Sequence, residues 1–356
     1  MRNSSTRSFS AVSQNGSLER RRKEKQRKII TAAIAVVALL IAVFSFLILG
    51  EIFGWFDKTE PDPNKDEGSK ITYEEKLISS SDIHKGELLL INSAFPYVFP
   101  ETSDNFLDLY SHRNQHDYVT AGGENKKTYS YYTESGDKTC AKLEANTLAA
   151  FNKWADDFYR ATNEIDLFVF DEDGYRSSSY QNELYTADPL KYTPVGQTEH
   201  HLGRSIDLYI YTLEGNRYTL DDESVVGTYS WLFKNAHKYG FVHRYPADKA
   251  GVTGVSNEQY MFRYVGVAHA TYMYQNNLSL EEYLDLLCDS YLYEGEHLKI
   301  EGADGKSYEV YYVKASTDSV TTVNVPKADD PSVESYEISG DNKSGFIVTV
   351  TLKDKE

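Results

Sequence analysis

One ten-residue string, from Thr198 to Asp207, constrains the local fold more than any other stretch of this chain. In it His200 and Asp207 stand either side of Gly203. A glycine at that place lets the backbone turn sharply, and the alternation over residues 205–212 suits a strand. A turn followed by a strand can bring a loop imidazole and a strand carboxylate onto one metal ion. Such nitrogen and oxygen donors suit Zn²⁺. A histidine and an aspartate at this spacing mean little alone, because both are often hydrogen-bonded surface groups. The full string Thr198-Glu199-His200-His201-Leu202-Gly203-Arg204-Ser205-Ile206-Asp207 is more specific.

Around it the pattern is mixed. Leu143, Leu148, Phe151, Trp154, Ala155 and Phe158 recur at helical spacing, which predicts an amphipathic helix packed on a sheet. Residues 87–92 and 167–170 read as buried strands, and Gly174-Tyr175-Arg176-Ser177 as a turn opening another helix. Residues 231–239 read as a helix stopped by Gly240. Ser279-Leu280-Glu281-Glu282 is a capping box that starts a helix running to about Cys288. From about Leu298 the chain changes to β-branched and aromatic runs, at 308–314, 320–325 and 346–352, separated by Gly, Pro, Asp and Asn turns. That predicts a small all-β appendage over 297–356.

The N-terminal part reads differently. Nine Lys and Arg against Glu19 and Glu24 give the first 28 residues a net charge of +7, leaving −24 on the rest of a chain of −17. That asymmetry argues against nucleic acid as the partner of the main domain. Residues 29–50 contain no charged side chain. At about 1.5 Å per residue such a run spans a hydrocarbon core of roughly 30 Å. The basic tail 1–28 before it and Glu51, Asp57 and Glu60 after it predict a single-pass helix in the cell membrane, with the N-terminus cytoplasmic and the main domain extracellular. A cleaved signal peptide is the rival, but the run is long for one and no small-x-small site follows. Residues 51–70, charged and containing Pro61 and Pro63, read as a disordered stalk. Cys140 and Cys288 each fall by a helical pattern, which favours buried free thiols over a disulfide.

A second string, Glu258-Gln259-Tyr260-Met261-Phe262-Arg263-Tyr264-Val265-Gly266, completes the argument. Together the two strings resemble the signatures of the VanY-type D-alanyl-D-alanine carboxypeptidases, zinc enzymes that trim peptidoglycan stem peptides. The family's first signature, S-x-H-x-x-G-x-x-x-D, supplies two zinc ligands. The match puts them on His200 and Asp207 and leaves His201 at a variable position. Its second, E-P-W-H, supplies the catalytic base, matched by Glu258, and a third ligand. Met261 stands where that histidine is expected, with Gln259 and Tyr260 in place of Pro and Trp. Gly174-Tyr175-Arg176-Ser177 with Gln181 resembles the family's S-G-Y-R-S…Q element, with Asp173 replacing the first serine. By that match Arg176 and Gln181 would bind substrate, and Arg176 would hold its carboxylate or the oxyanion formed at the scissile carbonyl.

The resemblance covers about residues 81–287. It implies an α+β domain of the hedgehog/DD-peptidase type with a central antiparallel sheet, over 71–296. The β appendage is similar to one carried by some membrane-anchored relatives. The cofactor implied is zinc and the partner a peptidoglycan stem peptide; no protein partner is identified. A thioether is a soft, poor ligand for Zn²⁺, and two protein ligands rarely hold catalytic zinc. Two functions follow: a working or weakened zinc carboxypeptidase, or an inactive relative that binds stem peptides or serves as a scaffold in cell-wall synthesis.

Overall fold

The computed structural model describes residues 71–101, 106–119, 123–134, 140–212, 215–220, 226–256, 258 and 260–354. The predicted basic tail, apolar run and stalk lie outside these residues. The predicted membrane location is corrected: among the described residues no helix is long and apolar enough to cross a membrane.

In chain order, the elements that matter here are β1 (Tyr73–Ser79), β2 (Tyr132–Thr133), α1 (Ala145–Thr162), β3 (Leu167–Val169), α2 (Ser178–Ala187), β4 (Ser205–Asp207), β5 (Tyr209–Tyr211), β6 (Arg217–Thr219), α3 (Val226–Asn235), β7 (Phe241–His243), β8 (Met261–Tyr264), α4 (Val267–Gln275) and α5 (Leu280–Ser290). The chain then forms β9 (Leu298–Glu301), β10 (Ser307–Lys314), β11 (Val320–Pro326), β12 (Val333–Gly340) and β13 (Gly345–Leu352). The fold is mixed α+β.

Helix α1 buries the predicted face: Leu148, Phe151, Trp154, Ala155 and Phe158 are all 2% exposed or less. Its first turn is capped by the Glu144 carboxylate, which accepts from the Asn146 and Thr147 amides, and it ends at Asn163 in the left-handed conformation. The apolar face covers two small sheets at once. One has the order β6-β5-β3-β2, the other β7-β8-β4. Their inward residues Leu167, Val169, Ile206, Ile210, Phe241 and Phe262 share one core with the helix.

The predicted strand over 205–212 is two strands. Leu208 breaks the run by donating to Tyr260 O (3.1 Å). β4 pairs with β8, while β5 pairs with β3 and β6. The chain therefore changes sheets at Leu208, one residue after Asp207.

The C-terminal strands form an antiparallel sheet, β9-β10-β13-β12, and β1 pairs with β11 from Tyr73↔Pro326 to Ser79↔Val320. Helices α4 and α5 pack on that sheet: Ala270, Met273, Leu284 and Leu287 share a core with Leu298, Val310, Tyr312 and Ile347. The capping box at α5 is present, with Ser279 Oγ accepting from the Glu282 amide and Glu282 Oε2 from the Ser279 amide. Residues 87–92 depart from expectation. Leu88, Leu89, Leu90 and Ile91 are buried but join no ladder. Side chains satisfy part of their backbone instead: Arg263 Nη2 donates to Glu87 O (2.7 Å) and Ser339 Oγ accepts from the Leu88 amide (2.9 Å).

Candidate functional site

The turn over Glu199–Leu202 begins at Thr198, whose Oγ1 accepts from the His200 amide (3.3 Å), and closes at Gly203, in the left-handed region at φ 64°. A Cβ at Gly203 would also lie 2.5 Å from the Phe106 ring, so only glycine fits. His200 Nδ1 faces Gly174 O at 2.8 Å. A carbonyl can only accept, so Nδ1 carries a proton and Nε2 is the nitrogen turned toward the cavity. Nε2 lies 3.4 Å from Asp207 Oδ2 at the end of β4.

Arg176, just before α2, reaches the same carboxylate. Its Nη2 is 3.8 Å from Asp207 Oδ2 and its Nε donates to Glu172 O (2.5 Å). The guanidinium also lies over the Tyr192 ring, 5.6 Å from its centre. Asp207 Oδ1 is buried with no hydrogen-bond partner among the described residues. Across the β4–β8 pair, Met261 is directly opposite Asp207. Facing residues in an antiparallel pair point to the same side, so the thioether is beside the carboxylate. All five residues, Arg176, His200, Asp207, Glu258 and Met261, line one cavity of about 280 Å³.

The cavity is rich in carboxyl groups. Burial, with the Asp207 charge adding to it, pushes Glu258 up to about 7, against the pull of Arg176. Asp173 is pushed well above its usual range by burial and then by Asp207, although the Phe170 amide donates to its Oδ2 at 2.7 Å.

The donor set fits zinc only in part. His200 Nε2 and the Asp207 carboxylate are suitable donors, and the buried, unpartnered Oδ1 is an atom that would gain from a cation. The third place is a thioether, and among the described residues no three His, Cys, Asp or Glu side chains are grouped so as to hold a metal ion. A three-ligand zinc centre does not close here.

Gln181 does not line the cavity. Fully buried, it donates from Nε2 to Thr193 O (2.7 Å), fixing the loop that carries Tyr192 and Thr193 into the wall. Elsewhere in the fold, His269 is hydrogen-bonded to Tyr283 and Thr349, and His116 to Asp156.

Two buried residues inside the first string carry more than the sequence suggested. His201, 1% exposed, donates from Nδ1 to Arg176 O (2.7 Å) and accepts at Nε2 from the Gly196 amide (3.0 Å). It thus clamps the Arg176 segment to the cavity-wall loop. Glu199, also 1% exposed, accepts from Arg244 Nε (2.8 Å) and lies 3.2 Å from Arg263 Nη1, although off the hydrogen-bond direction of that nitrogen. Burial alone would raise this carboxyl, but the two guanidinium charges hold it below its usual range. Arg244 also binds Glu281 through both terminal nitrogens (3.0 and 2.7 Å). The network ties the His200 turn to β8 and α5. Only Arg263, a lone charge among the apolar and aromatic residues 260–266, stood out in the sequence; Glu199 and Arg244 lie in strings that are already polar.

The family model for VanY, D-alanyl-D-alanine carboxypeptidase, matches residues 142–267. A D-alanyl-D-alanine carboxypeptidase of Enterococcus faecium is 29% identical over 296 residues, 83% of this chain and 85% of that protein. A bifunctional D-Ala-D-Ala dipeptidase and D-Ala-D-Ala carboxypeptidase, VanXYC of Enterococcus gallinarum, is 32% identical over 127 residues, 33% of this chain and 67% of that protein. Among solved structures, the D,D-dipeptidase VanXYg in complex with a D-Ala-D-Ala phosphinate analogue superposes with a TM-score of 0.60 at 23% identity. That match covers 79% of this chain and 99% of that one, a likeness of fold.

Proposed function

Because the chain belongs to the VanY-type D-alanyl-D-alanine carboxypeptidase family, we propose that its cavity receives the D-Ala-D-Ala end of a peptidoglycan stem peptide and that hydrolysis there is weakened or lost. The observation that carries this reading is the meeting of Arg176, His200 and Asp207 in one cavity, with Met261 opposite Asp207.

Arg176 supplies a fixed guanidinium for the peptide's terminal carboxylate or for an oxyanion, with Glu172 O and the Tyr192 ring holding its orientation. Glu258, titrating near 7, can take up a proton at neutral pH and release it again, as a general base must. His200 and Asp207 are the two remaining donors for the zinc that the resemblance implies. The third is a thioether, a poor ligand for Zn²⁺. Retention of a base, an anion site and two donors supports residual chemistry. The loss of the third donor supports binding without turnover.

Calorimetry with the purified protein and a pentapeptide ending in D-Ala-D-Ala tests the reading. Binding should weaken about tenfold or more in Arg176→Ala, in line with loss of one charge-assisted contact. A pentapeptide ending in L-Ala-L-Ala should bind less well. Equal affinity of wild type and Arg176→Ala removes the peptide from this cavity.

A further inference from the structure

The wall of the cavity formed by Ile91, Asn92 and Ser93 comes from the segment that joins no ladder. Its carbonyls are gathered by one side chain from the other end of the chain. Asn342 occupies the turn between β12 and β13, at φ 62° and 4% exposed. Its Nδ2 donates to Leu90 O (2.9 Å), Phe95 O (3.0 Å) and Pro96 O (3.2 Å). Two N–H groups serve three acceptors, so one hydrogen is shared. His84 Nδ1 lies 2.6 Å from Asn342 Oδ1. That oxygen can only accept, so the imidazole donates and fixes which way the amide faces.

The backbone of the same turn adds to the grip. The Leu90 amide donates to Asp341 O (3.1 Å) and the Asn342 amide to Ile83 O (2.8 Å). Within the gripped segment, Asn92 Oδ1 accepts from the Ala94 and Phe95 amides, which closes a tight turn. The Tyr97 amide then donates to Gly196 O (2.7 Å), on the opposite wall loop that His201 holds. One chain of hydrogen bonds therefore runs from the C-terminal sheet, through residues 90–97, to the loop beside Arg176.

We propose that Asn342 is a positioning residue of the peptide cavity, and that the C-terminal β sheet shapes the site by holding the 90–96 wall. The peptide part of this inference rests on the function proposed above. Without Asn342 the wall has no ladder to fall back on: its carbonyls at 90, 95 and 96 converge on this one amide, and the further bond to Phe95 O, from the Asn92 amide (3.2 Å), lies within the segment itself.

Two variants separate the side chain from the backbone. Asn342→Asp has the same shape but turns a carboxylate oxygen toward three carbonyls. Asn342→Gly keeps the left-handed turn and removes the amide. Hydrogen exchange should rise at the amides of Leu90, Asn92, Ala94, Phe95 and Tyr97 in both, about tenfold or more, with little change at residues 200–207. Affinity for N,N′-diacetyl-L-Lys-D-Ala-D-Ala should fall several-fold in both, while thermal unfolding of the glycine variant stays cooperative. Unchanged exchange in the folded glycine variant overturns the proposal. So does increased exchange with unchanged peptide affinity. If the wild-type protein binds no peptide, the functional reading fails instead, and the exchange result alone decides whether Asn342 holds the wall.

Discussion

Met261 faces Asp207 across the β4–β8 pair, so the thioether shares one face of the sheet with the carboxylate that ends β4. Met261 is 2% exposed and Asp207 6%. A side chain at this position cannot move to the other face without breaking the ladder, and its chemistry therefore bears on what the site can hold.

Restoring an imidazole at that place should restore the metal. The unmodified protein should keep well under one zinc per chain after mild dialysis, and Met261→His close to one. D-alanine release from a pentapeptide stem should be faster in Met261→His than in wild type. Met261→His combined with Glu258→Ala should keep zinc and stay inactive. Metal analysis alongside the rate assay checks this, and full zinc occupancy with strong activity in the unmodified protein would contradict it.

The His201 clamp predicts a coupled loss. His201→Phe keeps an aromatic ring against Tyr97 and Phe99 but removes both hydrogen bonds. Stability should fall by about 1–3 kcal/mol, because a buried carbonyl and amide lose their partner. Peptide affinity should fall as well, since the Arg176 segment and the Gly196 loop are no longer joined. Urea unfolding and calorimetry read the two effects separately.

Glu199 is expected to be among the most costly positions. Glu199→Gln removes the carboxylate paired with the fully buried Arg263 guanidinium, which should cost about 3–5 kcal/mol. Glu281→Gln should cost less, because Arg244 keeps Glu199. Chemical denaturation of the two variants gives the comparison; equal losses would mean that the network is not centred on Glu199.

Acid should destabilise the fold through His269. Burial pushes this imidazole down to about 4, while its ring nitrogens face Tyr283 and Thr349 on opposite sides. A histidine with a depressed native pKa favours the folded state above its unfolded value of about 6.5. That contribution is lost as pH falls toward 4, because the unfolded chain binds the proton first. The contribution at stake is about 3 kcal/mol, at roughly 1.4 kcal/mol per unit. Stability measured from pH 7 to pH 4 should decline less steeply in His269→Gln than in wild type. His201, also pushed down to about 4 by burial, leaves a residual slope in both.

The local elements were legible because their causes are local. The apolar spacing over 148–158 reports which side of one helix faces a core, although Leu143, read with that helix, lies in the short strand Lys142–Glu144 before its cap; the Ser279 capping box is satisfied within four residues. Gly203 marks a turn through its own φ, and the two strings put His200, Asp207, Glu258 and Met261 within one turn-and-strand pair. The change of sheets at Leu208 had no such signal, since alternation continues through it and only the neighbouring strands differ.

Sequence by itself determined the chemical inventory: a histidine and an aspartate around a glycine, a glutamate three residues before Met261, and an arginine in a turn ahead of a helix. Tertiary structure alone decided which polar groups became buried partners. Glu199, His201 and Asn342 look in sequence like ordinary surface residues, and nothing local says that two guanidinium groups, an Arg176 carbonyl or a wall segment 252 residues away will meet them. The physical reason is that periodicity and motif spacing record contacts within a turn or a strand. A buried polar contact depends instead on chain closure over hundreds of residues, and its value appears only once water has been excluded around it.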